Sequence, residues 1–589
     1  MTDTTAAPPA TTPWWRRAVV YQLYVRSFSD RDGDGVGDLD GITDRLDYLA
    51  RSGVQAIWLN PCYPSPNRDG GYDVADYTDI DEAYGGLAAF EKLLGAAHER
   101  GLRVIMDLVP NHCSSAHPWF RQALAAPPGS PERARFHFRD GRRPDGAEPP
   151  NNWLSTFSGP AWTRVVGPDG PEQWYLHSFD ASQPDFRWSD PEVAEMFDGV
   201  LRTWFDRGVD GFRVDVAYAM VKREGLPDAP DPKQNPYAWN QPGVHEIFAR
   251  WRAIADSYDR DIPLIGEVWL PPEQAADYIR PGEMNQVFYF DLMLRPWSAE
   301  EFRAAIDASV RSLRTLPEGS GGAAWTLNNH DVHRSVSRYG LIEAEPMDTD
   351  DANARRTRPR GTVDVALGVR RARAAALLLL ALPGAAYLYQ GEELGLPEVL
   401  DLPDDARRDP IWFRSAGREH GRDGSRVPLP WAASAAGAGS TAGSVSTADS
   451  GSAFSSGSGA GSGGDEGADA GSNLGFSPPG SAPAWLPQPD WYADFAVDRQ
   501  ERDPASTLHV YRAALRTRAE LFADDSFAWL ETGREDVIAF RRGTSVSVTV
   551  MGTEPFEPPS DWGTIVLRSR QREGREAELG PDTTAWLAG

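Results

Sequence analysis

The chain of 589 residues contains only two cysteines, Cys62 and Cys113. One disulfide at most could form, so a cystine framework is excluded and the count fits a reducing compartment. Basic charge is also scarce: 59 Lys and Arg against 86 Asp and Glu leave a net charge of −27. Such an excess repels phosphate backbones and anionic lipid surfaces, so neither nucleic acid nor membrane is an expected partner. A neutral polar ligand suits it. No apolar run is long. The most apolar one, Ala374 to Leu382, meets Pro383-Gly384 before resuming to Tyr389, and it is too short to span a bilayer. Residues 1–13 are rich in Thr, Ala and Pro and lack the apolar segment of a secretory signal. They are expected to be a disordered tail on a cytoplasmic protein.

Apolar content overall is ample. Hydrophobic residues make up 41% and aromatics 11%, enough for a large core and for more than one small domain. Short β-rich runs recur at Val19 to Val25, Val54 to Leu59, Leu102 to Val109, Val209 to Asp215, Ile262 to Val268, Gln286 to Phe290, Ala323 to Leu327 and Ala386 to Tyr389. Helical patterns such as Leu87 to Glu99, Pro191 to Asp206 and Val365 to Ala381 lie between them. Eight strands alternating with helices predict an α/β fold, a (β/α)8 TIM barrel, with its chemistry on the loops after the strand C-termini.

The barrel is expected in two parts, residues 14–110 and 191–521, around an inserted subdomain after the third strand at 111–190. That stretch is too long and too rich in Pro, Trp and Gly to be a bare loop. Residues 522–589 read as a small C-terminal antiparallel β domain, from alternation such as Val546-Ser547-Val548-Thr549-Val550. Residues 432–472 are mostly Ser, Gly and Ala, with a little Thr and Asp. That composition has nothing to bury and predicts a flexible insertion in the loop after the eighth strand.

Carboxylates gather at the predicted strand ends. Arg213 and Asp215 sit two apart and so point to one side of their strand. The pair reads either as a structural salt bridge or as an arginine that keeps a nucleophile ionised. Glu267 has apolar sequence neighbours on both sides, a setting that would raise its pKa and keep it protonated as a general acid. Asp331 follows His330, and His112 lies just past the third strand. All of these fall on one face of a barrel.

The segments Asp107-Leu-Val-Pro-Asn-His112, Gly211-Phe-Arg-Val-Asp215, Gly266-Glu267-Val and Asn329-His330-Asp331 resemble, in order, the four signature regions of the α-amylase family of retaining glycoside hydrolases, family 13. The likeness runs from about Ala18 to Leu521. Gln183-Pro184-Asp185 is similar to a further motif of the oligo-1,6-glucosidase/α-glucosidase subfamily, although Phe186-Arg187 follows where that pattern has Leu-Asn. The stretches Tyr389 to Pro397 and Gly421 to Trp431 look like bacterial α-glucosidases.

The resemblance implies Asp215 as nucleophile, Glu267 as general acid/base and Asp331 as transition-state stabiliser. It also implies that Asp73 and Arg426 pair across the pocket end and bind a terminal glucose. Arg213, His112 and His330 would complete the sugar site, and Tyr72 would offer an aromatic platform. Val216 follows the nucleophile, where valine tends to accompany α-1,6 activity in the subfamily and threonine α-1,4 activity; the linkage stays open. The activity implied is exo-acting release of glucose from a small oligosaccharide substrate, by a monomer or weak oligomer. A glucosyl-transferring isomerase of the sucrose isomerase or trehalose synthase type is the alternative on the same residues.

Asp30, Asp32, Asp34 and Asp38 fall at alternate positions broken only by Val36, with Gly35 at the turn. The run resembles the first nine positions of an EF-hand loop, Val36 giving its backbone oxygen. The closing acid is missing, because Gly41 stands at position twelve. A structural Ca²⁺ is expected there, with Mg²⁺ as the alternative ion.

Overall fold

In the computed structural model all eight β-rich runs form strands, each within two residues of its expected ends: β1 Val19–Leu23, β2 Ala56–Leu59, β3 Arg103–Leu108, β4 Gly211–Val214, β5 Leu264–Gly266, β6 Gln286–Phe288, β7 Gly322–Thr326 and β8 Ala385–Tyr389. The structure describes residues 12–167, 170–344, 360–433, 473–570 and 577–589. The expected tail is therefore almost entirely outside the described residues, as are residues 434–472 of the predicted insertion. The eight strands pair in parallel and close into a barrel in sequence order, β1 joining both β2 and β8.

Alternation along these strands decides what faces inward. Val20, Trp58, Ile105, Ile265 and Phe288 form an inner cluster, while Val19, Ile57, Val104, Phe212 and Val214 pack with the surrounding helices. Both faces are covered, which is why the strands read as nearly unbroken apolar runs. Carried two residues further, the inward series reaches Gln22, Asn60, Asp107 and Glu267. The barrel core thus turns polar at the C-terminal ends of its strands.

Between β3 and β4 lies a three-stranded antiparallel sheet built from Phe138–Arg139, Gly170–Leu176 and Trp162–Gly167. It is tied to the loop after β4 by Trp153 Nε1, which donates to Pro227 O at 2.9 Å, and by Asn151 Nδ2 to Leu226 O at 3.0 Å. A five-stranded antiparallel sheet follows the barrel, with its last strand at Thr583–Ala588. Trp586 Nε1 and Thr584 Oγ1 donate to Leu377 O and Ala374 O of the helix Val365–Leu380. That explains the apolar run noted above: the helix is enclosed between barrel and sheet. Among the described residues no helix is long and apolar enough to cross a membrane. Across residues 434–472 the two flanks are joined, Ala432 N donating to Leu474 O at 2.8 Å.

Candidate active site

Arg213 continues the inward series of β4 and its guanidinium lies 5.1 Å from the Trp58 ring centre, inside the barrel mouth. It meets three carboxylates. Nη1 donates to Asp215 Oδ1 at 2.7 Å and to Asp107 Oδ1 at 2.8 Å, and Nη2 lies 2.6 Å from Glu267 Oε2. The sequence suggests an arginine devoted to Asp215; the structure shows it shared. One cation among three buried acids cannot hold all of them ionised. Burial pushes Asp215 well above the usual carboxylate range, Arg213 pulls it back, and Glu267 and Asp107 add to the rise. Burial likewise raises Asp107 to about 6 against the pull of Arg213. Asp215 and Asp107 therefore hold protons more readily than isolated carboxyls would, which suits a site that needs one acid and one base.

Glu267 is held from both sides. Its Oε2 also accepts from Val216 N–H at 2.9 Å, and its Oε1 accepts from Trp269 Nε1 at 2.8 Å. Val216 reaches this contact with φ at 37°, a conformation a β-branched residue rarely adopts. Such strain is typical of positions over-determined by a functional site.

Asp331 stands apart from the triple cluster. Its Oδ1 accepts from Arg422 Nη1 at 2.9 Å and Arg426 Nη2 at 3.1 Å, and its Oδ2 lies 3.4 Å from His330 Nε2. Burial opposes its ionisation, but the Arg422 and Arg426 guanidiniums outweigh it and hold the carboxyl well below its ordinary range. His330 is itself neutral, because burial depresses its pKa well below the ordinary value. Gln22 Nε2 donates to its Nδ1 at 2.8 Å, which leaves the proton on Nε2 toward Asp331. Tyr72 stacks flat on His330 at 5.1 Å and 4° and donates its hydroxyl to Asp107 Oδ2 at 2.9 Å. His112, lowered to about 4 by burial, donates from Nε2 to Tyr72 O at 3.2 Å.

These groups surround a cavity of about 200 Å³, lined by Asp215, Glu267, Asp331, His112, His330 and Tyr72 among others. Asp69 and Arg422 line it as well, and they form the ion pair expected of Asp73 and Arg426: Arg422 Nη2 donates to Asp69 Oδ1 at 2.7 Å. Asp73 is instead fully buried. Its Oδ1 accepts from Ser65 Oγ at 3.0 Å and from Asp69 N–H at 3.1 Å, so it shapes the loop that presents Asp69. Arg426 meets the site through Asp331 and through His330 O, which accepts from its Nε at 2.9 Å. Each misplacement is by four residues within the right loop. Asp185 lies behind the cavity wall, paired with Lys222 Nζ at 2.9 Å. Asp107 was legible only through the inward alternation of β3, and Trp269 carried no signal in the sequence.

The acidic loop lies away from this cavity. Asp30, Asp32 and Asp38 bring ligand oxygens within 4.8 Å of one another. Gly33 N and Gly35 N donate to Asp30 at 2.7 and 2.9 Å, and a Cβ on Gly35 would lie 2.2 Å from Pro483 O, so the turn needs glycine. Three converging hard oxygens suit Ca²⁺ or Mg²⁺. Among the described residues Asp34 is outside this set; its Oδ1 accepts from Val36 N–H at 2.7 Å.

The family model for the α-amylase catalytic domain matches residues 22–451. The chain belongs to the α-amylase family. Within the family it is 36% identical over 557 residues to a probable α-glucosidase of Rhizobium meliloti (strain 1021), covering 90% of this chain and 87% of the relative. It is 33% identical over 547 residues to an oligo-1,6-glucosidase of Parageobacillus thermoglucosidasius, covering 86% and 84%. Among solved structures, a variant of isomaltulose synthase from Erwinia rhapontici NX5, in complex with sucrose, superposes with a TM-score of 0.78 at 28% identity, covering 98% of this chain and 99% of that one.

Proposed function

We propose that this α-amylase family member is a retaining, exo-acting α-glucosidase that frees terminal glucose from short oligosaccharides through a covalent glucosyl-enzyme. The observation that carries the reading is the shared guanidinium: Arg213 touches Asp215 and Glu267 at 2.7 and 2.6 Å. One guanidinium bridging both carboxyls favours the close spacing of retention, about 5–5.5 Å, over the wider one of inversion, about 6.5–9.5 Å. In the first step Asp215 attacks the anomeric carbon, the glycosidic C–O bond breaks, and Glu267 gives its proton to the leaving oxygen. In the second, water attacks the same carbon, its proton passes to Glu267, and Asp215 leaves as carboxylate. Asp331, kept ionised by its two arginines, takes hydrogen bonds from sugar hydroxyls that tighten as the ring flattens. The Asp69–Arg422 pair offers a bidentate grip on the hydroxyls of a terminal ring, which supports exo-action. His112 and His330, both neutral, supply hydrogen bonds and Tyr72 a ring face.

A glucosyl-transferring isomerase is the second reading, favoured by the likeness to an isomaltulose synthase that binds sucrose. Incubation with maltose, isomaltose, sucrose and trehalose side by side separates the two. Free glucose from one or more of them supports the hydrolase; isomers or longer glucosides in its place refute it. The same comparison reads the linkage preference. The reading carries a cytoplasmic location, supported by two buried, unpaired cysteines. It also carries a structural Ca²⁺, or Mg²⁺, held by Asp30, Asp32 and Asp38, whose bound charge would offset the repulsion among the three acids.

A further inference from the structure

An indole is fixed to the acid/base candidate. Trp269 Nε1 donates to Glu267 Oε1 at 2.8 Å, while Oε2 is already met by Val216 N–H at 2.9 Å and Arg213 Nη2 at 2.6 Å. With two donors on Oε2, a proton bound by Glu267 sits on Oε1, the oxygen the indole touches. The indole has little freedom to drift. Its ring stacks on Phe290 at 4.1 Å and 18°, Phe290 stacks on Phe288 at 5.2 Å, and Phe288 packs edge-on against Tyr387 at 4.8 Å. That column of rings is anchored in the inner barrel cluster, and its free end, Trp269, lines the cavity beside Glu267.

We propose that Trp269 is a positioning residue that sets how readily Glu267 gives up its proton. The inference rests on the hydrolase reading above. An N–H aimed at Oε1 stabilises the carboxylate over the acid, so it loosens the proton and makes Glu267 a stronger acid toward the leaving oxygen. As the glycosidic bond breaks, the proton moves from Oε1 to the departing oxygen and the charge left on Oε1 is met by a donor already in place. In the second step the water proton returns to the same oxygen.

The variant Trp269→Phe keeps a ring on Phe290 and removes only the N–H. Losing the donor raises the proton affinity of Glu267, so the basic limb of the kcat/KM profile for a disaccharide shifts upward by about 1 pH unit. The kcat for that disaccharide falls about 10-fold. An aryl glucoside whose leaving group needs no proton loses far less in its first step. A Trp269→Phe profile that superimposes on the native one, or equal losses on both substrates, overturns the proposal and leaves a packing role. Infrared titration of the Glu267 carboxyl, its band assigned with Glu267→Gln, reads the same shift without turnover. A chain that hydrolyses none of these sugars would refute the hydrolase reading, while the infrared shift would still decide the indole contact.

Discussion

Arg422 Nη2 meets Asp69 Oδ1 at 2.7 Å although 353 residues separate them in the chain. The same guanidinium reaches Asp331 and Asp409, so one side chain ties the wall of the cavity to the carboxylate expected to grip the substrate.

Replacing Asp69 by Asn should therefore weaken substrate binding more than turnover. A lost hydrogen bond to a charged group is worth about 1.5–3 kcal/mol, so KM for a disaccharide is expected to rise about 10- to 100-fold. Asp73→Asn serves as the contrast, because its carboxylate bonds only within its own loop. Steady-state kinetics on both variants check this, and a larger KM effect for Asp73→Asn would restore the pairing expected from the sequence.

Asp215→Asn removes the proposed nucleophile while preserving size. Its kcat is expected to fall by about 10⁴-fold or more. Asp215→Ala opens space for a small anion: azide added to it should yield a glucosyl azide of inverted configuration, seen by NMR. Substantial glucose release by Asp215→Asn would assign the nucleophile elsewhere.

Asp107→Asn withdraws one of the three acids that compete for Arg213. With one negative neighbour fewer, Asp215 binds its proton less tightly, so the acidic limb of the kcat/KM profile should move to lower pH, by about 1 unit. An unmoved profile would mean that Asp107 only positions Tyr72 and Trp58, whose Nε1 donates to it at 3.1 Å.

Glu398 is enclosed beneath the Arg422 loop, and burial pushes its carboxyl up to about 8, although Arg334 pulls against the rise. A carboxyl raised above its unfolded value of about 4.3 stabilises the fold while protonated and loses that contribution as pH rises through 8. Glu398→Gln should thus melt close to the native protein at pH 5 and above it at pH 9. Calorimetry at the two pH values makes the comparison, and a variant less stable at pH 9 would contradict it.

Chelation tests the acidic loop. If Asp30, Asp32 and Asp38 hold Ca²⁺, EDTA should lower Tm by a few degrees, Ca²⁺ should restore it, and Asp30→Asn should abolish the difference. A Tm indifferent to both would remove the metal from the account.

Much of this was legible along the chain. Apolar runs of strand length separated by helical periods are a local property, and they placed the eight strands within two residues of their ends. Acids just past the C-terminal ends of such runs must face the barrel mouth, so Asp215, Glu267 and Asp331 could be assembled on one cavity before any coordinates. Alternation of two residues also pointed Asp107 inward. The partners of those acids were a different matter. Which of Asp69 or Asp73 meets which of Arg422 or Arg426 depends on how two irregular loops run past each other, and no periodicity encodes a loop path. Arg213 was visible as a neighbour of Asp215, but its division among Asp107, Asp215 and Glu267 exists only where three strand ends converge. The Trp269 indole, placed on Glu267 by a column of stacked rings, likewise comes from packing. The sequence by itself determined the barrel and the acids at its mouth, since both follow from local hydrophobic pattern. Tertiary structure alone decided how charge is shared among them, since that follows from distances between residues hundreds of positions apart.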